Sequence, residues 1–568
     1  MSNSLTQHMK RWMPALEWLP GYRREYLRGD LVAGVTVAMM LIPQAMSYAM
    51  LAGLPPYVGL YASVVPLILY ALFGTSRQLA VGPVAMVALL VASGVGALAE
   101  VGSAHYIALA ILLALMVGVI QFGMGVFRLG FLTNFLSHPV ISGFTSAAAL
   151  IIGFSQLQHL IGLSLPRTEN IALLAWTALT QWADINAVTL LIGLGSVAGL
   201  LVLKRINPLL PGAMIVVVLA TLAVWLLGLD ERFGVRIVGA VPAGFPELSA
   251  PAVNTADMID LLPIAITIAF IGFVESIAVA KKIAAEKRYD VDPNRELVGL
   301  GLANIGAAFF KAMPVTGGFS RTAVNRNAGA NTGLASIITA VLIGIALLVA
   351  TPLFYYIPTA ALAAVIMVAV AGLIDTHEVK HLWQVKRDDL VMLGVAFFAT
   401  LILGVKVGIF VAVGASMVWF VIRTTRPHYA ILGRVPGTRV YRNLKRVPEA
   451  ETVPGVLTIR FDAQFYYGNV TFLKDTIRTA EQSMDSPLQA VVLDASSINQ
   501  LDSSADTALH ELLDDYRGRG VDLFIANVKG PVRDVMVRSG FERKLGADHF
   551  FLTTDEAVIA ARESIDKT

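Results

Sequence analysis

The sequence contains no cysteine, which excludes disulfides, thiolate metal sites and cysteine nucleophiles. Charge is scarce as well: Asp, Glu, Lys and Arg make up 15% of the 568 residues, against 56% hydrophobic. Soluble domains carry about 25% charged residues, so so lean a chain points to a polytopic membrane protein. The net charge of +3 is too small for a nucleic-acid footprint, and no nucleic-acid partner is expected. His138 and His159 have no second ligand at metal spacing and read as structural, so no metal and no other cofactor is expected. Eighteen methionines are scattered, many in apolar runs, and read as packing filler. Lys10, Arg11, Arg23, Arg24 and Arg28 surround only short apolar stretches, unlike a secretory signal. The stretch from Trp12 to Tyr26 is expected on the membrane surface or against another domain.

What the chain has is a pair of interrupted hydrophobic segments. One break reads Ala80-Val81-Gly82-Pro83-Val84-Ala85, the other Met313-Pro314-Val315-Thr316-Gly317-Gly318-Phe319-Ser320-Arg321. Pro314 follows Pro83 by 231 positions (314 − 83), and Gln44 and Glu275 each precede their proline by 39 (83 − 44 and 314 − 275). A backbone inside a bilayer is left unpaired only where protein encloses it, so such breaks line a cavity. Matching breaks in two halves point to a transporter built from repeats, with its substrate between half-helix N-termini. Two unrelated proline kinks are the alternative.

Apolar runs recur from Leu31 to Ile422 and divide into fourteen expected spans. They include Leu31–Leu51, Val84–Leu98, Leu261–Val279, Ser320–Ala330, Leu390–Leu403 and Val407–Ile422. Ser320–Ala330 would reach about 16 Å as a helix, roughly half the hydrocarbon thickness. With fourteen spans, the cationic loops at Lys204-Arg205, Lys281-Lys282, Lys287-Arg288, Lys380 and Lys386-Arg387 fall on one side. Both termini share that side, which should be the cytoplasm. Seven spans per half give the halves opposite orientations, as inverted repeats require.

After Arg423 the pattern becomes soluble. The expected division is an N-terminal cytoplasmic segment over 1–29, a transmembrane domain over 30–425, a basic linker over 426–454 and a small α/β domain over 455–568. Strands are expected at Val456–Phe461, Ala490–Asp494 and Asp522–Ala526, with helices at Thr471–Ser483, Ser504–Tyr516 and Val532–Ser539. The domain has no Gly-rich phosphate loop and no metal-ligand cluster, so no enzyme is expected.

Pro56-Tyr57-Val58-Gly59-Leu60-Tyr61-Ala62-Ser63, continuing to Gly74-Thr75-Ser76-Arg77, resembles the signature of the sulfate permease (SulP) family. Leu493-Asp494-Ala495-Ser496 followed by Leu501-Asp502-Ser503-Ser504-Ala505 resembles the STAS domain that those permeases carry. Thr316 to Asn325 and Leu432-Gly433-Arg434-Val435-Pro436-Gly437-Thr438 most resemble the proton-coupled sulfate symporters of the family. The resemblance implies an α-helical polytopic membrane protein of fourteen spans, two inverted seven-span repeats arranged as core and gate domains, and a cytoplasmic STAS domain. It also implies a homodimer in the cell membrane, with a possible regulatory protein at the STAS domain. It maps substrate contacts to Gln44, Tyr48, Ser320 and Arg321, and Val84, Gly318 and Phe319 at the two half-helix starts complete the expected set. Helix packing is the other reading of Tyr48.

The residues themselves supply a chemical reading. Glu275 and Arg321 are the clearest ionisable residues inside expected spans, where charge is costly and usually functional. Arg321 would add a forked cationic donor beside two helix N-termini that already attract anions. Thr316 and Ser320 offer hydroxyls, and Gly82, Gly317 and Gly318 let backbone approach closely. Glu275, alternating between solvent and Arg321, is the expected proton carrier; an Arg321–Glu275 pair that merely locks two helices is the alternative. Sodium-coupled family members tend to carry aspartate here with threonines nearby, whereas this chain has Glu275-Ser276-Ile277-Ala278-Val279. The expected function is therefore import of sulfate by proton symport. A proton-coupled C4-dicarboxylate carrier, a sodium-coupled bicarbonate carrier, and an anion channel or STAS-based sensor stay open. In the STAS motif, Ser503 and Ser504 are read as a helix N-cap or a phosphorylation site, with Ala505 standing where related domains have glycine.

Overall fold

The structure, a computed structural model, describes residues 13–135, 137–163, 170–207 and 210–567. Lys10, Arg11 and Trp12 lie outside them. The chain forms two compact units that divide between Ser416 and Met417, inside its last long apolar helix.

The first unit is helical. Its elements are α1 (Arg24–Leu51), α2 (Pro56–Tyr61), α3 (Val65–Phe73), β1 (Val81–Gly82), α4 (Ala85–Gly96), α5 (Ala104–Val126), α6 (His138–Ile161), α7 (Ile171–Thr180), α8 (Ala187–Ile206) and α9 (Gly212–Leu227). There follow α10 (Thr255–Lys287), α11 (Pro293–Phe309), β2 (Thr316–Gly317), α12 (Phe319–Asn327), α13 (Leu334–Val349), α14 (Thr359–Ala371), α15 (Thr376–Val385) and α16 (Arg387–Thr425). Among the described residues, nine helices are long and apolar enough to cross a membrane. Large apolar side chains stand exposed around this unit, among them Leu191, Trp225, Val349, Phe398 and Ile402, as a lipid-facing surface requires.

Each expected span overlaps a helix, but several boundaries differ. The second half-helix runs Phe319–Asn327 rather than Ser320–Ala330, which places Arg321 third in it. The helices Ile171–Thr180 and Thr376–Val385 were not anticipated. The first is short; the second alternates charge with apolar residues and carries no long hydrophobic run. Gly404, with φ 83°, interrupts α16 between the two expected spans, a conformation that glycine adopts without a Cβ penalty.

The helices pack as two groups. One contains α1–α5 and α10–α13; its tightest seam, between α5 and α11, depends on small residues. A Cβ on Gly118 would lie 2.6 Å from the Ile305 nitrogen, and one on Gly301 2.5 Å from the Phe122 nitrogen, so only glycine permits this approach. The other group centres on α14, against which α6 and α8 pack, with α9 against α8. The groups meet chiefly where α1 packs on α9 and α14. The N-terminal segment rests on the first group. Ala15 is buried, Glu17 lies 3.5 Å from Arg295, and the Tyr22 hydroxyl donates to Asp30 at 3.2 Å.

Two buried carboxylates escaped the sequence reading. Asp30 accepts from the Asn331 and Thr332 amides and the Thr332 hydroxyl, tying the start of α1 to the approach to α13. Glu296 accepts from the Tyr70 hydroxyl, both Thr75 donors and the Ser76 amide. Such full satisfaction makes burial of a carboxylate affordable.

The second unit is an α/β domain with strand order β4-β3-β5-β6-β7-β8. The strands are β3 (Tyr429–Arg434), β4 (Tyr441–Asn443), β5 (Val456–Phe461), β6 (Ala490–Asp494), β7 (Asp522–Ala526) and β8 (Phe550–Phe551). Its helices are α17 (Val470–Gln482), α18 (Ser503–Arg519), α19 (Gly530–Ser539) and α20 (Thr554–Ile565). From β5 to β8 the strands are parallel. Helices α17, α18 and α19 bury Leu473, Leu509 and Val532 on one face, and α20 buries Ala557 and Ala561 on the other.

The stretch read as a basic linker, 426–454, is corrected here. It supplies β3 and β4, and β3 pairs antiparallel with β5 through Tyr429↔Phe461 and Ile431↔Ile459. The arginines disguised this edge, because Arg434 and Arg442 point outward while Ala430 and Leu432 are buried. The N-cap of α18 is also corrected: Asp502, not Ser503 or Ser504, accepts the Ala505 amide at 2.8 Å.

Candidate functional site

The two sequence breaks meet. β1 and β2 form a two-residue antiparallel ladder, Val81↔Gly317 and Gly82↔Thr316, extended by the Gly318 amide donating to the Ala80 carbonyl at 3.1 Å. Directly after each strand a half-helix begins, α4 at Ala85 and α12 at Phe319. At 1.5 Å per residue they reach about 18 and 14 Å, so each is shorter than the hydrocarbon thickness of a bilayer. Neither carries a side-chain cap. The first-turn amides of both therefore present uncapped donors and positive dipole ends at one place.

A polar lattice holds the ladder. The Thr316 hydroxyl donates to the Gly272 carbonyl at 2.6 Å and shares a 2.7 Å hydrogen bond with Ser276, whose oxygen also accepts the Gly317 amide. Asn304 accepts the Val315 amide at 2.7 Å and donates to the Val315 carbonyl and to Gln121. The Thr322 hydroxyl accepts the Ala80 amide, and Asn325 donates to the Gln78 carbonyl. Thr316 is fully buried in this hydrogen-bond network, which corrects its reading as a hydroxyl offered to substrate. Ser276, Asn304, Thr322 and Asn325 were missed as partners of the breaks. Each is a polar residue in or beside an apolar run, a detectable signal whose partner the sequence cannot name.

A cavity of about 440 Å³ lies at the half-helix starts, between the two helix groups. The first group contributes Thr36, Met40, Gln44, Tyr48, Val84, Glu275, Gly318, Phe319, Ser320 and Arg321, and the second contributes Thr145, Lys204, Gly212, Ala213, Val365, Val368 and Val370 among others. All seven expected substrate contacts and Glu275 thus line one space. Gln44 and Tyr48 are 3% and 5% exposed, Arg321 is 1% exposed, and Phe319 is 51% exposed. Glu275 is half-buried and Ser320 exposed to the cavity. No ion pair joins Arg321 to Glu275 within 4.0 Å among the described residues, so the helix-locking alternative finds no contact.

Arg321 is instead anchored at one corner. Its Nη1 donates to the Pro83 carbonyl, while Nε and Nη2 are buried with no partner among the described residues. A Cβ on Gly318 would lie 2.9 Å from Nη2, so glycine makes room for the guanidinium. Gln44 Oε1 is likewise buried and unpartnered. A buried guanidinium edge without an acceptor is costly, and an anion would supply the missing acceptors. The Gln44 amide can turn to present its NH₂ to the same ligand.

Residues 27–396 match the model of the sulfate permease family, and residues 447–557 match the STAS domain. The chain is 41% identical to sulfate transporter 4.1, chloroplastic, of Arabidopsis thaliana, covering 96% of this chain and 82% of that protein. It is 40% identical to probable sulfate transporter 4.2 of the same plant, covering 96% and 83%. In structure it is similar to the murine Slc26a9 anion transporter in the inward-facing state, with a TM-score of 0.90, 27% identity, and 98% and 95% of the two chains covered. With its helical membrane unit and its C-terminal STAS domain, the chain belongs to the sulfate permease family of anion transporters.

Proposed function

We propose that the protein imports sulfate together with protons by alternating access, binding the anion between the starts of α4 and α12. The observation that carries this reading is the Arg321 side chain, buried between two uncapped half-helices with two of its nitrogens unpartnered. Gln44, Tyr48, Ser320 and the first-turn amides complete an anion-sized donor set, and Glu275 on the same cavity wall carries the proton. The 41% identity to a plant sulfate transporter supports sulfate as the anion.

Energetics favour coupling. Moving a dianion into an inside-negative compartment at 100 mV costs about 4.6 kcal/mol, at about 2.3 per charge. One proton halves that electrical cost and two remove it. The helix group bearing Arg321 and Glu275 moves as the core against the group of α6–α9 and α14–α16 as the gate. A homodimer in the cell membrane with cytoplasmic termini fits this reading, and the STAS domain regulates or scaffolds, as a possible docking site for a regulatory protein.

Uptake of labelled sulfate, fumarate and bicarbonate into proteoliposomes tests the proposal, with and without proton or sodium gradients. Sulfate uptake driven by an inward proton gradient is the expected result. Preference for fumarate, or dependence on sodium, would replace it with the dicarboxylate or bicarbonate reading.

A further inference from the structure

Among the described residues, three side chains of formal charge line the cavity: Arg321, Glu275 and Lys204. In the sequence, Lys204 marks membrane orientation as part of a cationic loop. It stands in the last turn of α8, exposed, on the helix group opposite the half-helices. Among the described residues no carboxylate lies within 4.0 Å of its ammonium. Cations nearby on the first group are otherwise engaged. Arg326 pairs with Glu286 at 2.9 Å, and Lys282 lies 5.7 Å over the Phe319 ring. Lys204 is thus a cavity cation with no ion-pair partner among the described residues, carried by the wall that does not hold the substrate donors.

We infer that Lys204 is a one-sided guide for doubly charged anions. It draws them into the cavity from the membrane face to which Lys204 belongs, and it drops out once the half-helices face the other side. The inference rests on the proposed reading of the site as a carrier of dianion and proton. With Glu275 neutral, Arg321 and Lys204 together balance a dianion; a monoanion leaves one positive charge uncompensated. The cavity is therefore matched to charge two while it faces Lys204.

An exposed ammonium is screened by salt, so its effect belongs to encounter rather than to the bound state. Clefts lined by one sign of charge raise the local concentration of the opposite ion, and removing a rim charge lowers the association rate with a marked salt dependence. Arg321 and Lys282 sit on the first group and travel with the site; Lys204 does not. This division makes sidedness the diagnostic property.

The test uses the full-length protein in proteoliposomes of uniform orientation, with sulfate titrated separately on each face. Wild-type proton-driven sulfate uptake is measured first, and its absence would sink the underlying reading and this one with it. Given that uptake, Lys204→Gln should raise the half-saturating sulfate concentration on the Lys204 face about three- to tenfold at low ionic strength. Lys204→Glu should raise it further, and Lys204→Arg should restore it. The difference should collapse in high inert salt, and half-saturation from the other face should stay unchanged. Nitrate should compete better against sulfate in Lys204→Gln than in wild type. An unchanged half-saturation on the Lys204 face, an equal shift on both faces, or a shift indifferent to salt would each overturn the role of Lys204 while leaving the sulfate reading intact.

Discussion

The Arg321 guanidinium donates through Nη1 to the carbonyl of Pro83, so the cation of the second half-helix is bonded to the break that precedes the first. The two breaks share one joint. The bond orients the fork, leaving Nε and Nη2 for a ligand. Proline contributes by lacking an amide, and the chain at Pro83 cannot continue a regular ladder.

Arg321→Ala should weaken sulfate binding by about 1.5–3 kcal/mol, the worth of a charge-assisted contact, or roughly ten- to hundredfold. Arg321→Lys should recover part of it, because an ammonium is a point charge without the fork. Calorimetric titration of the purified protein with sulfate measures both. Unchanged affinity in the Ala variant would remove Arg321 from the site.

Glu275→Gln should abolish proton-driven accumulation and leave anion binding largely intact, since the amide keeps shape and hydrogen bonding but does not titrate. Labelled sulfate uptake at acid outside pH is the measurement. A Gln variant that still concentrates sulfate against its gradient shows that the proton travels elsewhere.

Thr316→Val should destabilise the fold by about 1–3 kcal/mol, because it leaves the Gly272 carbonyl and the Ser276 hydroxyl short of a buried partner. Thermal unfolding in detergent reads this. Thr316 stands behind the ladder, so a variant of wild-type stability that had lost sulfate affinity would place the hydroxyl in the site after all.

In the STAS domain, Asp502→Ala should cost about 0.5–2 kcal/mol by removing the cap of α18. Asp502 Oδ2 also accepts the Tyr467 amide at 2.9 Å, which favours the upper end of that range. Ser504→Ala, at an exposed position behind the cap, should transport almost normally. Uptake and melting of both variants in parallel separate the two roles, and a transport-dead Ser504→Ala would restore the serine as a functional group.

Burial pushes the Asp462 carboxyl up, but hydrogen bonds from Arg460 and His428 outweigh it and hold it below the ordinary carboxylate range. A depressed value in the folded state contributes stability above the unfolded value of about 3.9 and loses it as pH falls through the lower folded value. Asp462→Asn should therefore lower protection of the β5 amides at neutral pH, with the gap to wild type closing on acidification. Hydrogen exchange read by mass spectrometry checks it; a gap that widened in acid would reverse the sign.

Much of this architecture was legible because hydrophobicity and backbone chemistry are local. Strand Val456–Phe461 follows from its β-branched run, and the expected division between Leu390–Leu403 and Val407–Ile422 falls where the helix is interrupted. The matched prolines marked two half-helices before any contact was known. Legibility failed where a partner decides the role. Thr316 offered a hydroxyl in the sequence, but Gly272 and Ser276 claim it in the fold. The arginines of 426–454 suggested a linker, though alternate residues were apolar enough to pair with β5.

By itself the sequence determined the medium, the two breaks and the charged residues that lie near them, since composition and the missing amide of proline act wherever the chain goes. It did not determine that Val81 pairs with Gly317, that Arg321 reaches Pro83 rather than Glu275, or that Lys204 shares their cavity. Those are contacts between residues far apart in the chain, and only packing of the two helix groups selects among the many partners that a buried polar group could satisfy.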